Sequence, residues 1–192
     1  MKRTALLFFS TCFLIIKTGA CQTKYEREYR IEPTLVPERA LQFIAALPFK
    51  NKIKWYREEG LNSTSLEAKT RHLSKKYSIE FDTLGKVEDI EIVISRKELP
   101  EDPRNAITRY LDSVHTRYRL RKIQLQYAGA AEALRALVTK GKTQERHAVN
   151  FEIVVKGKTD GRYRLLEYLF SEEGVMLRKA RILLRNTDNL EY

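Results

Sequence analysis

Histidine is the residue type in this sequence whose chemistry could most directly support catalysis. The three histidines, His72, His115 and His147, are widely separated in the chain, and none belongs to a metal-ligand spacing such as HExxH. The sequence also lacks a GxSxG segment and a glycine-rich phosphate loop. A hydrolase that depends on His72 or His147 is therefore our third hypothesis.

Adjacent carboxylates are the other candidates for acid–base chemistry. They occur as Glu58 with Glu59, Glu88 with Asp89, and Glu172 with Glu173. Successive side chains on a strand point to opposite faces, whereas acid–base catalysis needs two carboxylates across one cleft. We therefore predict that the chain is not an enzyme and has no cofactor and no metal site.

Cys21 follows a segment that is typical of a secretory signal peptide. Residues 1–20 combine a basic start, the apolar run 5–16 and small residues before the cysteine. Residues 18–21 resemble a bacterial lipobox, although Thr18 stands where leucine is usual. We predict an exported protein, either a periplasmic or an outer-membrane lipoprotein anchored through Cys21, with simple cleavage after Ala20 as the alternative.

The charge balance limits the expected partners. The 192 residues include 36 Lys and Arg against 25 Asp and Glu, a net charge of +11. Outside the cytoplasm, a basic surface meets acidic proteins, lipid headgroups or polysaccharides. We therefore predict no nucleic-acid partner, and we expect a monomer that binds an envelope or secreted protein.

Two amphipathic helices organise the rest of the chain. Ala40, Phe43, Ile44 and Leu47 lie on one face of a helix, and an equivalent stripe recurs 67 residues later, from Ile107 to Val114. Alternating strands follow each helix, and residues 82–85 have the composition of a type I turn. We predict a tether over 21–36 and two repeats, 37–95 and 102–185. An insertion, 128–146, carries a further helix with Gly141 as C-cap.

The strand segments carry a family resemblance. Residues 53–56, 66–69 and 77–82, together with Gly85 and the strand 87–92, resemble the PepSY-like family of exported Bacteroidetes proteins, which is described as beta-lactamase-inhibitor-like. Segments 122–125 and 167–170, with Gly174, look similar. The predicted fold class is α+β, a tandem repeat of a helix plus four antiparallel strands with the helices packed on one face of the sheet. One continuous sheet and two hinged repeats both remain open.

The resemblance also implies how such a protein binds. In the beta-lactamase inhibitor that gives the comparison its name, the concave free face of the sheet grips the partner. Strand alternation places a set of side chains on the equivalent face here. The predicted partner-binding residues are Tyr56, Lys69, Gln124, Gln126, Glu152, Leu165, Glu167, Leu169 and Leu177.

These observations predict an exported, non-enzymatic protein-binding module that inhibits or regulates an envelope protein through the free sheet face. The alternative is an envelope accessory lipoprotein whose basic surface contacts anionic lipid or polysaccharide.

Overall fold

The computed structural model describes residues 22–60 and 63–184, so the predicted signal peptide and Cys21 lie outside the described residues. Within these residues, nine strands and three α-helices follow one another. The strands are β1 (Gln22–Ile31), β2 (Lys54–Glu59), β3 (Thr64–His72), β4 (Lys75–Phe81), β5 (Val87–Val93), β6 (Arg117–Gly129), β7 (His147–Thr159), β8 (Arg162–Ser171) and β9 (Met176–Leu184). The helices are α1 (Glu38–Ala45), α2 (Glu101–Val114) and α3 (Ala131–Lys140), with short 3-10 helices at Pro33–Leu35 and Arg96–Glu98.

The nine strands form one closed sheet in sequence order. Strands β1 to β9 pair antiparallel with their sequence neighbours, and β1 also pairs in parallel with β9, with Gln22 opposite Ala180. Pairing of β5 with β6, with Ile92 opposite Leu125, joins the two halves of the chain. The open choice between one sheet and two hinged units is thereby resolved in favour of one sheet.

The predicted fold class is wrong. The chain does not form a tandem repeat of a helix plus four strands, because strand pairing runs without a break through all nine strands. Residues 21–36, predicted as a tether, contribute β1, which lies between β2 and β9. Each edge that an open sheet would expose is therefore hydrogen-bonded, which removes the usual site of edge-to-edge association.

The helices cover the apolar face of this sheet. One buried cluster joins Phe43 and Ile44 of α1 and Leu134 of α3 to sheet residues such as Trp55 and Phe81. A second cluster packs α2 against the β6–β9 half of the sheet, with Leu111 and Tyr168 at its centre. Burial of these side chains supplies the main favourable free energy of folding.

Local sequence signals are confirmed at two chain reversals. The Gly85 N–H donates to the Asp82 carbonyl at 3.0 Å, and Gly85 has a φ of +78°, as a glycine-ended turn requires. Gly141 ends α3 in the left-handed conformation, with a φ of +70°, and its N–H donates to the Leu137 carbonyl.

Candidate functional site

The face of the sheet opposite the helices carries polar side chains that are nevertheless buried. Glu67, Ser78, Gln124 and Glu152 are each at most 6% exposed, although the apolar side chains of the helices pack against the opposite face. Charges act across it between strands that are not neighbours, since Glu152 of β7 and Arg178 of β9 both affect the pKa of Asp89 on β5. This face therefore lines the inside of the closed sheet, and we call it the interior face.

Carboxylates concentrate along one stretch of the interior face. This acidic cluster consists of Glu67, Glu80, Asp89, Glu91, Glu152 and Glu167. Strand register places Glu67 opposite Glu80, and Glu80 opposite Asp89. Like charges at such directly opposed positions destabilise a sheet unless they are neutralised.

Lys69 supplies part of that neutralisation. Its Nζ atom lies 2.8 Å from a Glu28 carboxylate oxygen and 2.9 Å from a Glu67 oxygen. Burial disfavours ionisation of Glu67, but the Lys69 charge and hydrogen bonds from Ser78 and Lys69 outweigh it, so the pKa of Glu67 is lowered. The same carboxylates raise the pKa of Lys69 against the effect of burial. Glu28, Glu58 and Glu67 have oxygens within 4.8 Å of one another, a possible cation site, and the Lys69 ammonium already lies beside two of them.

Two members of the acidic cluster retain protons more readily than ordinary carboxyls. Burial, followed by the charges of Glu67, Glu58 and other nearby acids, raises the pKa of Glu80 well above its usual value. Burial and the charge of Glu152 raise the pKa of Asp89 from 3.8 to about 7. An Asp89 oxygen accepts a hydrogen bond of 3.1 Å from Gln126.

A large cavity lies at the other end of the interior face, where β3 ends and β2 and β4 begin. Its volume is about 1350 Å³, which exceeds the ~300–1,000 Å³ of most small-molecule pockets. Eleven of its lining residues are basic, and none of the described lining residues is acidic. The basic residues are Lys52, Lys54, Lys69, Arg71, Lys76, Arg96, Arg119, Arg121, Lys122, Lys156 and Arg164. We call this space the basic cavity.

Aromatic and aliphatic side chains interrupt the positive charge of the basic cavity. The Lys69 ammonium lies 4.8 Å from the centroid of the Tyr56 ring, and Lys156 lies 5.7 Å from that of Tyr163. Such positions favour the cation electrostatically. Val154 and Leu165 add apolar surface to the same wall.

The structure brings together some of the residues predicted to bind a partner. Tyr56, Lys69, Gln124 and Leu165 line the basic cavity. Glu152 and Glu167 are buried members of the acidic cluster, Gln126 is buried beside it, and Leu169 is half-buried. Leu177 is 54% exposed, beside an irregularity in the pairing of β8 with β9 that places Arg178 opposite Leu169. An extra residue at such a bulge reverses the alternation assumed from the sequence.

Most of the basic cavity was missed by sequence reasoning. Lys52, Arg71, Lys76, Arg119 and Lys156 were not among the predicted site residues, although basic side chains spaced two apart recur at this end of the strands. The spacing is seen in Lys52 with Lys54, Lys69 with Arg71, and Arg119 with Arg121. These pairs lie on β3, on β6 and at the start of β2, which meet at the basic cavity, and they were the available signal.

The three histidines lie in separate aromatic environments. His72 contacts Phe49 and Tyr77, and His147 contacts Tyr127. His115 is buried, with its ring nitrogens 3.0 Å from the Thr159 hydroxyl and 2.9 Å from the Tyr168 hydroxyl. Burial, with the nearby Lys179 charge, lowers the pKa of His115.

Comparisons with known proteins give two distant structural neighbours. A DUF2874 family protein from Bacteroides ovatus has 9% identity and a TM-score of 0.49, and the similarity covers 76% of this chain and 87% of that one. A BLIP-like protein from Bacteroides fragilis has 17% identity and a TM-score of 0.49, with 82% and 94% covered. No family model matches the chain, and no curated protein matches it significantly.

Such distant likeness assigns neither a family nor a function, and the predicted PepSY-like membership is not shown. Among the described residues, no helix has the length and apolar character needed to cross a bilayer.

Proposed function

We propose that this chain is an exported, non-enzymatic binding module that captures a partner protein at the basic cavity and thereby restrains it. The observation that carries the proposal is the cavity itself, which combines a volume of about 1350 Å³ with cationic, aromatic and aliphatic lining side chains. Interfaces with proteins favour this mixture of arginine, tyrosine and apolar anchors.

Tyr56 and Leu165 are the expected anchors. Both are partly exposed on the interior face, and both line the basic cavity. Tyrosine and leucine offer apolar area with few rotatable bonds, so little conformational entropy is lost when a partner packs on them.

Site-specific photo-crosslinking of the full chain in bacterial cells tests this proposal. A crosslinker at position 56 or 165 should capture one defined protein, whereas a crosslinker at Leu84 should not, since Leu84 is exposed on the turn between β4 and β5. The double variant Tyr56→Ala with Leu165→Ala should lose the partner in a pull-down while its thermal unfolding stays cooperative. Equal capture from position 84 would count against the basic cavity as the docking site.

The density of lysine and arginine supports a second candidate, an accessory protein that contacts anionic lipid or polysaccharide. Exposed basic residues outside the basic cavity, such as Arg30, Arg117 and Arg146, would supply the contact. Binding of the full chain to vesicles containing anionic phospholipid, but not to neutral vesicles, with steep loss in salt, would favour this candidate.

A further inference from the structure

The basic cavity concentrates positive charge in a way that costs the fold stability. Strand register places Lys54 opposite Lys69, Arg71 opposite Lys76, and Arg119 opposite Lys156. Directly opposed residues have their Cβ atoms about 5 Å apart, where like charges repel. Three basic pairs of this kind converge on one cavity, although nothing in strand formation requires them there.

Among the described residues, two of these pairs have no counterion. Lys69 is neutralised by Glu28 and Glu67. Within residues 22–60 and 63–184, by contrast, no ion pair joins Arg71, Lys76, Arg119 or Lys156 to a carboxylate. An anionic ligand that enters the basic cavity would therefore relieve repulsion as well as gain attraction.

The shape of the site decides what kind of anion fits. The cations stand on the inner wall of a closed sheet, a concave surface that a flat bilayer or an extended protein surface cannot follow. A single extended peptide can enter it, because its side chains alternate between two sides and can present carboxylates and apolar groups in turn. Val154 and Leu165 offer apolar contacts that a polyuronate chain would not use.

We propose that the basic cavity binds an acidic peptide segment of the partner, with carboxylates on the Arg71–Lys76 and Arg119–Lys156 pairs and apolar side chains on Tyr56 and Leu165. This inference rests on the proposed function and adds the chemistry of the segment that is recognised. Arg71 and Arg119 suit the recognition of an acidic segment, because a guanidinium group binds a carboxylate in a bidentate manner.

Two variants of the full chain separate cavity charge from total charge. The cavity variant carries Arg71→Gln, Lys76→Gln, Arg119→Gln and Lys156→Gln. The surface control carries Arg39→Gln, Lys86→Gln, Lys140→Gln and Lys142→Gln, which removes the same charge from residues that do not line the cavity. Circular dichroism establishes that both variants are folded before binding is measured.

The probe is a short fluorescent peptide of alternating glutamate and leucine, measured by anisotropy, with a glutamine–leucine peptide as its match. The glutamate peptide should bind the parent and the surface control equally, and the cavity variant at least about tenfold more weakly. Equal binding of the glutamine peptide, or equal loss in both variants, would overturn the inference.

Two further outcomes distinguish this inference from the proposed function. If polygalacturonate binds and the glutamate peptide does not, the ligand is a polysaccharide. That result would overturn both the acidic-segment inference and the proposed capture of a protein. Capture of a partner from position 56 that persists in the cavity variant, with no binding of the glutamate peptide, would overturn the acidic segment alone.

Discussion

The ring of His115 occupies space that only glycine at position 157 leaves open. A Cβ atom at Gly157 would lie 2.4 Å from the His115 Cε1 atom and 2.6 Å from Nδ1. Real Cβ atoms do not approach so closely, so either the ring or strand β7 would have to move. The ring is also held by its hydrogen bonds to Thr159 and Tyr168.

Gly157→Ala should therefore destabilise the protein by about 1–3 kcal/mol, the usual effect of overpacking a core. Chemical denaturation measures the loss. Adding His115→Ala should make room for the new methyl group, so the double variant should be more stable than the sum of the two single effects predicts. Additive losses would contradict the steric explanation.

Asp89 makes stability depend on pH in the direction opposite to an ordinary ion-paired carboxyl. Its pKa is about 7 in the fold against 3.8 for the free group, so the folded state binds the proton more tightly than the unfolded chain. Its stabilising effect is complete below about pH 4 and is lost as the pH rises from about 4 to about 7. Each pKa unit corresponds to about 1.4 kcal/mol, which sets an upper limit of about 4 kcal/mol.

Asp89→Asn should remove the loss of folding stability that Asp89 causes as the pH rises. The variant should match the parent near pH 4 and be more stable at pH 8, as measured by urea denaturation across that range. The exposed Glu132 of α3 provides the control, because Glu132→Gln removes the same charge outside the acidic cluster and so shows what loss of one carboxylate charge does by itself. A parallel profile for Asp89→Asn and the parent would show that Asp89 is not a buried, protonated group.

Between strands, two glycine-containing turns pack against the N-terminal ends of helices α1 and α2. Gly85 and Gly174 both have positive φ, and both close a turn through a hydrogen bond to the residue three positions earlier. A Cβ atom at Gly85 would lie 2.9 Å from Pro37 Cβ, and one at Gly174 would lie 2.8 Å from the Pro103 carbonyl oxygen. These turns therefore demand glycine for both conformation and space.

Gly85→Ala and Gly174→Ala should each cost more than the same change at Gly141. All three glycines have positive φ, but a Cβ at Gly141 would meet nothing within 4 Å. The left-handed conformation alone costs about 1–2 kcal/mol, so an additional loss of about 1–3 kcal/mol should appear only at the two turns. Equal losses at all three positions would mean that the contacts with α1 and α2 do not matter.

Individual helices and strands were predictable from the sequence, but the closure of the sheet by β1 was not. The stripe of Ala40, Phe43 and Ile44 predicts α1, and alternation predicts the β4 and β5 strands, because each signal lies within a few residues. Strand β1 has no apolar alternation to reveal it, since Arg27, Tyr29 and Arg30 are exposed and Glu28 contacts Lys69. The basic cavity depends on that closure, so its full set of residues could not be assembled from local patterns.

Closure of the sheet by β1 should protect the whole molecule from association. A variant lacking residues 22–31 would leave β2 and β9 each with one unpaired edge. Unpaired edges promote pairing between chains. We expect a lower Tm and a concentration-dependent rise in mass by light scattering, whereas a monomer with the parental Tm would show that β1 is dispensable.

Opposite charges occupy different parts of the interior face of the closed sheet. The basic cavity lies at one end of this face, and the acidic cluster lies further along it. Lys69 lies at the boundary, since it lines the cavity and pairs with Glu67. The carboxylates have internal hydrogen-bond donors such as Gln124, at 2.5 Å from Glu91, and Gln126. Within residues 22–60 and 63–184 the Arg71–Lys76 and Arg119–Lys156 pairs have no carboxylate partner, so the proposed acidic segment would supply the same relief from outside.

Added sulfate should therefore stabilise the parent more than the cavity variant. Each opposed basic pair costs about 0.2–1 kcal/mol, so two pairs correspond to a Tm change of a few degrees. In low salt the cavity variant should unfold at a higher temperature than the parent, and sulfate should narrow that gap. The surface control keeps the basic pairs of the cavity, so it should gain as much from sulfate as the parent. The cavity variant should gain only the general stabilisation that sulfate gives any protein by strengthening apolar burial. If all three proteins gain equally from sulfate, the repulsion in the basic cavity is negligible, and relief of repulsion cannot contribute to the binding of an acidic segment.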